Sequence, residues 1–274
     1  TLEVGAEKTY TTIAAALTAA KDGDTISIVD GEYKEDITLD KAVTLTMVEG
    51  TKLTGGIITV AKAGVVLDKV NFEYKGYDTP YGNLIIRADN VTVKESTFVA
   101  EYENNPDNDG NRITGNEFGL VQVNGNKEVV FENCTFKTNV MGIFPTQTSG
   151  SITGCSFLPL DGENARKAVA INNCGQNMSE VSIVNNTFEG RRILTSTAIK
   201  EVTGNKFLNF NSSVFVSGFL ADGVTINAAE NYYGENPNFD VLFPNDEVVY
   251  SPYYADEDMT EDSLTETGKA YIET

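Results

Sequence analysis

Three short stretches carry the site signal that the sequence offers. Glu73-Tyr-Lys-Gly-Tyr-Asp-Thr-Pro-Tyr81, Val99-Ala-Glu-Tyr-Glu-Asn-Asn-Pro-Asp-Asn-Asp-Gly-Asn-Arg112 and Leu158-Pro-Leu-Asp-Gly-Glu-Asn-Ala-Arg166 each begin at or next to the phenylalanine of a repeated motif. They set Tyr74, Tyr77, Tyr81 and Tyr102 beside carboxylates, amides and the cations Arg112 and Arg166. That mixture suits a glycan, with rings to stack on a sugar face and polar tips for its hydroxyls. The same rings equally suit packing of the loops onto the body of the protein. Asp107-Asn-Asp-Gly-Asn111 places oxygen ligands Asp107, Asp109 and Asn111 at alternate positions, as in the first half of a calcium loop. Its glycine is displaced and Glu117 falls one residue short of the closing position, so a solvated Asx-rich turn is the alternative. Arg112, Arg166, Arg191 and Arg192 are candidate bases, or else structural ion-pair partners.

Composition removes other chemistries. The chain of 274 residues has no histidine, which excludes Ser-His-Asp and Cys-His sites and His-ligated zinc. Forty Asp plus Glu against twenty Lys plus Arg give a net charge of −20, which repels nucleic-acid backbones and anionic lipid surfaces. Tryptophan is absent, so any stacking platform uses Tyr or Phe. Cys134, Cys155 and Cys174 are too few and too irregular for a disulfide framework or a four-cysteine metal site. No stretch approaches the roughly 20 apolar residues of a membrane span. The chain opens at Thr1 without a methionine or signal peptide, which reads as a mature segment.

The elements that position these residues follow from an internal repeat. Val91-Thr-Val-Lys-Glu-Ser-Thr-Phe98 recurs as Val129-Val-Phe-Glu-Asn-Cys-Thr-Phe136, Ser151-Ile-Thr-Gly-Cys-Ser-Phe157, Val181-Ser-Ile-Val-Asn-Asn-Thr-Phe188 and Val202-Thr-Gly-Asn-Lys-Phe207. Degenerate copies end at Phe72 and Tyr233, and Ile113-Thr-Gly-Asn-Glu-Phe118 is either one more copy or an insertion. Short apolar alternations lie between the motifs, among them Leu84-Ile-Ile86, Leu120-Val-Gln-Val123 and Val169-Ala-Ile171. Constant strands separated by loops of varying length predict coils stacked about 4.8 Å apart around one core. The fold class is all-β: a single-stranded right-handed parallel β-helix. Phe98, Phe136, Phe157, Phe188 and Phe207 should stack inside it. The residue two before each aromatic is Val70, Ser96, Asn116, Cys134, Cys155, Asn186, Asn205 or Asn231, a series suited to a hydrogen-bonded ladder. Cys134 and Cys155 then sit as buried thiols in adjacent coils, a redox pair being the alternative.

A capping α-helix over residues 11–22, started by Thr11 or Thr12 and ended by Gly23, should cover the first coil. Residues 234–254 form a C-terminal cap, completing a helix domain over 1–254. Residues 255–274 read as an acidic tail or a linker. The stretch from Ala15 to Leu45, with Ala19-Ala-Lys-Asp-Gly-Asp-Thr-Ile26, Gly31-Glu-Tyr33 and Asp40-Lys41, resembles the opening of the pectate-lyase-like β-helix superfamily. Asn231-Tyr-Tyr-Gly234 resembles the Asn-Tyr-Trp-Gly close of many such repeats.

That resemblance implies a fold shared by lyases, hydrolases, esterases, phage spikes and adhesins. The polygalacturonase-like motifs need a histidine and an Asp-Asp pair, and the pectin methylesterase motifs need Gln-Asp; none occurs here. No catalytic residue is assigned. The expected protein is a secreted or cell-surface bacterial module, non-catalytic and adhesin-like, contacting a polysaccharide or cell-surface glycan through Tyr74, Tyr77, Tyr81, Tyr102, Arg112 and Arg166. It needs no cofactor, calcium at Asp107, Asp109 and Asn111 being the one candidate, and it is a monomer or a module of a larger chain. The alternatives are a calcium-dependent polysaccharide lyase and a structural spacer.

Overall fold

A computed structural model describes residues 1–76, 82–102, 119–139, 141–143, 146–160, 169–173, 175–216, 220–244 and 247–265. Three parallel sheets run along the molecule. The first has nine strands, from Leu2–Val4 to Glu201–Thr203, and the second has eight, from Glu32–Lys34 to Lys206–Leu208. The third begins with Ile37–Leu39, Ile58–Val60, Leu84–Ile86 and Val121–Val123 and continues through bridges at Ile143, Ile171, Ile193 and Phe215. Each strand pairs with its equivalent one coil away, which makes the chain an all-β parallel β-helix. Alternation within the strands decides what fills it: in Val91–Lys94 the valines are buried while Thr92 and Lys94 face outward.

The aromatic register is the one the sequence dictates. Phe98, Phe136, Phe157, Phe188 and Phe207 are in register and buried, with successive ring centroids 5.6, 5.1, 5.0 and 5.0 Å apart and planes within 16°. Tyr233 continues the stack at 5.3 Å. Phe136 pairs directly with Phe98, so the string 113–118 supplies no coil between them. It belongs to an insertion that mimics the motif.

From Val66–Asp68 and Asn71–Gly76 up to Glu201–Thr203 and Lys206–Leu208, the turn from the first sheet to the second is two residues long, and its first residue is left-handed. Lys69, Glu95, Asn133, Asn185 and Glu230 have φ between 47° and 57°, and Gly154 and Gly204 occupy the same place at 66°. Outside glycine and asparagine this conformation costs about 1 kcal/mol or more, so side-chain identity alone does not account for it. The next residue is the ladder position. Its backbone N–H reaches a side chain of the following coil: Val70 N donates to Ser96 Oγ at 3.0 Å, Cys134 N to Cys155 Sγ at 3.4 Å and Cys155 N to Asn186 Oδ1 at 2.8 Å. Asn186 N and Asn205 N then donate to Asn205 Oδ1 and Asn231 Oδ1 at 2.9 and 2.8 Å. The amides return bonds to strand carbonyls, Asn186 Nδ2 to Ile152 O at 2.8 Å and Asn205 Nδ2 to Ile183 O at 2.9 Å.

The N-terminal cap is the helix Ile13–Ala19, shorter than 11–22, with Thr12 accepting from Ala15 N at 3.2 Å. Ile13, Ala16 and Leu17 are its buried face. Glu35 accepts from Ile13 N and Ala14 N at 3.1 Å each, and Lys41 Nζ donates to Leu17 O and Thr18 O at 2.6 and 3.0 Å. A carboxylate at the N-terminus and an ammonium at the C-terminus satisfy unpaired backbone groups and oppose the helix dipole. At the other end Phe239–Leu242 forms a short helix and Val248–Val249 adds in parallel to Ile226–Asn227. Phe239, Phe243 and Tyr250 pack there, with Tyr250 4.3 and 4.9 Å from the two phenylalanines. The chain does not leave the stack at 254, because Leu264–Thr265 returns antiparallel to Tyr253–Tyr254.

Replacing Phe136 by Ala should cost about 3–5 kcal/mol, since rings on both sides hold the void open. Urea unfolding reads this directly, and a parent-like midpoint would contradict the stacked core. Asn205→Ala, which strands the Asn186 N–H and the Ile183 carbonyl, should cost about 1–3 kcal/mol by the same measurement. Asn205→Asp should be worse than Ala, because it adds a buried charge while removing both amide donors.

Candidate functional site

Two of the four candidate tyrosines belong to strands. Asn71–Gly76 and Thr97–Tyr102 run past the motif phenylalanines, where the sequence places loops from 73 and 99. Their alternation persists, so Phe72 and Tyr74, and likewise Phe98, Ala100 and Tyr102, are all buried. Tyr74 is 7% exposed and Tyr102 2%, with rings 5.3 Å apart. The Tyr102 hydroxyl donates to Asn83 Oδ1, and Asn83 Nδ2 donates to Gly56 O at 3.1 Å. Asn139 clamps the Tyr102 backbone, accepting from its N–H and donating to its carbonyl at 2.9 Å each. Rings buried to this degree cannot lie against a sugar. Their place on a glycan-facing ridge is therefore corrected: both are core residues.

Tyr77, Tyr81, Arg112, Arg166, Asp107, Asp109 and Asn111 lie outside the described residues, as does Cys174. The strands that precede them are described. Tyr102 pairs with Gly76, and Val99 pairs with Lys137, which in turn pairs with Leu158. The strands Asn71–Gly76, Thr97–Tyr102 and Ser156–Leu158, which precede the three candidate stretches in sequence, are thus parallel members of the second sheet.

The other two candidate bases are structural. Arg191 is 2% exposed and donates to Leu158 O at 3.5 Å, and burial pulls its guanidinium down to about 10. Arg192 Nε donates to Ser213 O at 2.7 Å, and its Nη2 to the Ser213 hydroxyl and, at 3.4 Å, to Phe215 O. Binding carbonyls requires the protonated donor form, the opposite of what a base supplies. Cys134 and Cys155 are free, buried rungs of the ladder. The hydrogen bond to Cys134, and burial, push the Cys155 thiol above the ordinary thiol range. A thiol held protonated is a poor nucleophile.

A cleft that the sequence does not announce opens at the C-terminal end, between residues 208–210 and 232–238. It encloses about 1190 Å³ including its open mouth. Phe210, Pro237 and Val241 supply its apolar part, and Glu235, Asn236 and Asn238 its polar part. The Phe210 ring stands edge-on to Phe207 at 6.0 Å. Asn236 is left-handed at φ 50°, and Asn238 precedes the helix Phe239–Leu242 without making a side-chain cap bond. Glu257 on its wall is 3.4 Å from Lys206. Burial, then the charges of Glu235, Glu257 and Asp256, push the Tyr232 phenol above its usual range. The amide-rich strings Asn209-Phe-Asn211 and Gly234-Glu-Asn-Pro-Asn238 were the available signal, but only stacking of the last coil brings them together.

Among the described residues no group of three or more His, Cys, Asp or Glu side chains is placed to hold a metal ion. No described helix is long and apolar enough to cross a membrane. No known protein family, curated protein or solved structure matches the chain. Its class is accordingly defined by its architecture, an all-β parallel β-helix.

Tyr102→Phe should destabilise by about 1–3 kcal/mol, because Asn83 Oδ1 then loses its donor in a buried setting. Equilibrium urea unfolding checks it, and unchanged stability would mean that the hydroxyl serves another purpose.

Proposed function

We propose that this chain is a non-catalytic module of the pectate-lyase-like β-helix kind, secreted or displayed on a bacterial cell surface, where it contacts glycans in an adhesin-like manner. The observation that supports the reading is that Asn71–Gly76, Thr97–Tyr102 and Ser156–Leu158, which precede the three candidate stretches in sequence, are parallel strands of one sheet. Segments leaving adjacent coils at one phase form a composite surface whose chemistry can vary without disturbing the core. Tyr77 and Tyr81 are the remaining candidate tyrosines for glycan contact, and Arg112 and Arg166 the candidate cations. A net charge of −20 favours a neutral ligand, or an anionic one bridged by calcium near Asp107, Asp109 and Asn111. Structural use of Arg191 and Arg192 leaves Arg112 and Arg166 as the remaining candidates for a lyase base.

A glycan array probed with and without calcium tests this, each hit being checked for cleavage. Binding is expected to neutral glycans in either condition, or to acidic ones only with calcium, with no unsaturated product. Sustained ultraviolet absorbance that disappears in Arg112→Ala or Arg166→Ala would establish a lyase instead. Absence of any binding would leave the spacer role.

A further inference from the structure

The C-terminal cleft joins three properties. Its apolar part is a partly exposed aromatic edge, Phe210, flanked by Pro237 and Val241. Its polar part carries Glu235, Asn236 and Asn238, all exposed, and Asn238 is not used to cap the helix that it precedes. Among its described lining residues none is a cation, and Glu257 on the wall pairs with Lys206 at 3.4 Å. A pyranose has this same division, with C–H groups on one face and hydroxyls around the ring. Phenylalanine and proline suit the first, while amide and carboxylate groups suit the second, an amide donating and accepting at once and a carboxylate accepting from hydroxyls. The carboxylates disfavour a phosphorylated, sulfated or uronic sugar.

We infer that this cleft is a saccharide site for a neutral sugar unit; the inference rests on the glycan-contacting reading and names a contact at the C-terminal end of the stack. Asn236 and Asn238 provide the bidentate hydrogen bonds, Glu235 accepts from a ring hydroxyl and Phe210 covers a C–H face.

The experiment titrates cellotetraose, mannotetraose and chitotetraose separately into the full ¹⁵N-labelled chain while following the side-chain amide signals of Asn236 and Asn238. At least one sugar should shift these signals saturably, and the double variant Asn236→Gly, Asn238→Ala should weaken its binding at least tenfold. Glycine keeps the left-handed backbone at 236, and the unused cap position tolerates alanine, so the melting temperature should stay within that of the parent. Saturable shifts confined to other parts of the chain, unaffected by the double variant, would overturn the cleft while leaving glycan contact standing. If none of the three sugars shifts any signal and the array also records no binding, the cleft and the glycan reading fail together. If the array finds binding but these sugars leave Asn236 and Asn238 unmoved, a repeat with the array's own ligand that still leaves them unmoved overturns the cleft alone.

Discussion

One backbone N–H per coil governs this molecule. Where the chain turns from the first sheet into the second, the left-handed residue keeps its own N–H in the ladder, as Glu95 N does with Glu132 O at 2.9 Å. The residue after the bend resumes strand pairing through its carbonyl, which accepts from the next coil, as Ser96 O does from Thr135 N at 2.9 Å. Its N–H between them must find an acceptor on a side chain. A buried donor without a partner costs about 1–3 kcal/mol, so the coil that follows such a turn presents a short side chain bearing an acceptor here, as Ser96 does for Val70. Serine, cysteine and asparagine all meet the geometric need, and asparagine adds two donors that tie the coil back to a strand carbonyl. With the turn held in this way, the phenylalanine two residues later can meet its neighbours at about 5 Å.

The excess of acidic residues takes part in the same architecture. Asp30 accepts from Ala6 N, Asp22 from Ala42 N, Asp36 from Ile57 N and Asp89 from Lys127 N, each linking segments about 20 or more residues apart. The Asp89 carboxyl is lowered by the Lys127 N–H and then by the Asn126 amide. These side chains occupy corners where backbone donors point outward, beyond the reach of a sheet carbonyl. Part of the net charge of −20 therefore also serves to hold successive coils together.

The motif made the fold legible because a parallel coil repeats both chemistry and register. Val, an acceptor-bearing residue and Phe at fixed offsets report an inward strand position, the turn and the next inward position. Six residues of similarity could not decide whether Ile113-Thr-Gly-Asn-Glu-Phe118 was a further copy or an insertion, and the direct pairing of Phe136 with Phe98 decides for the insertion. Tyr74 and Tyr102 misled. Proximity to Pro, Asp and Asn suggested loops, while the alternation that makes them inward, at two and four residues past the phenylalanine, was already in the sequence. The C-terminal cleft was legible only as two separate amide-rich strings, because its walls come from residues about 25 positions apart and from Glu257 beyond them.

The cap at the N-terminus has a bearing on how the chain comes into being. Its seven-residue helix is too short to persist alone, and the groups that hold it, Glu35 and Lys41, arrive with the second coil. As the polypeptide is synthesised, the lid can close once residue 41 has emerged. From there each coil finds its template in the one made just before it. Assembly can proceed like a zipper in the direction of translation, with only the newest edge unpaired at any moment and no wait for a distant partner.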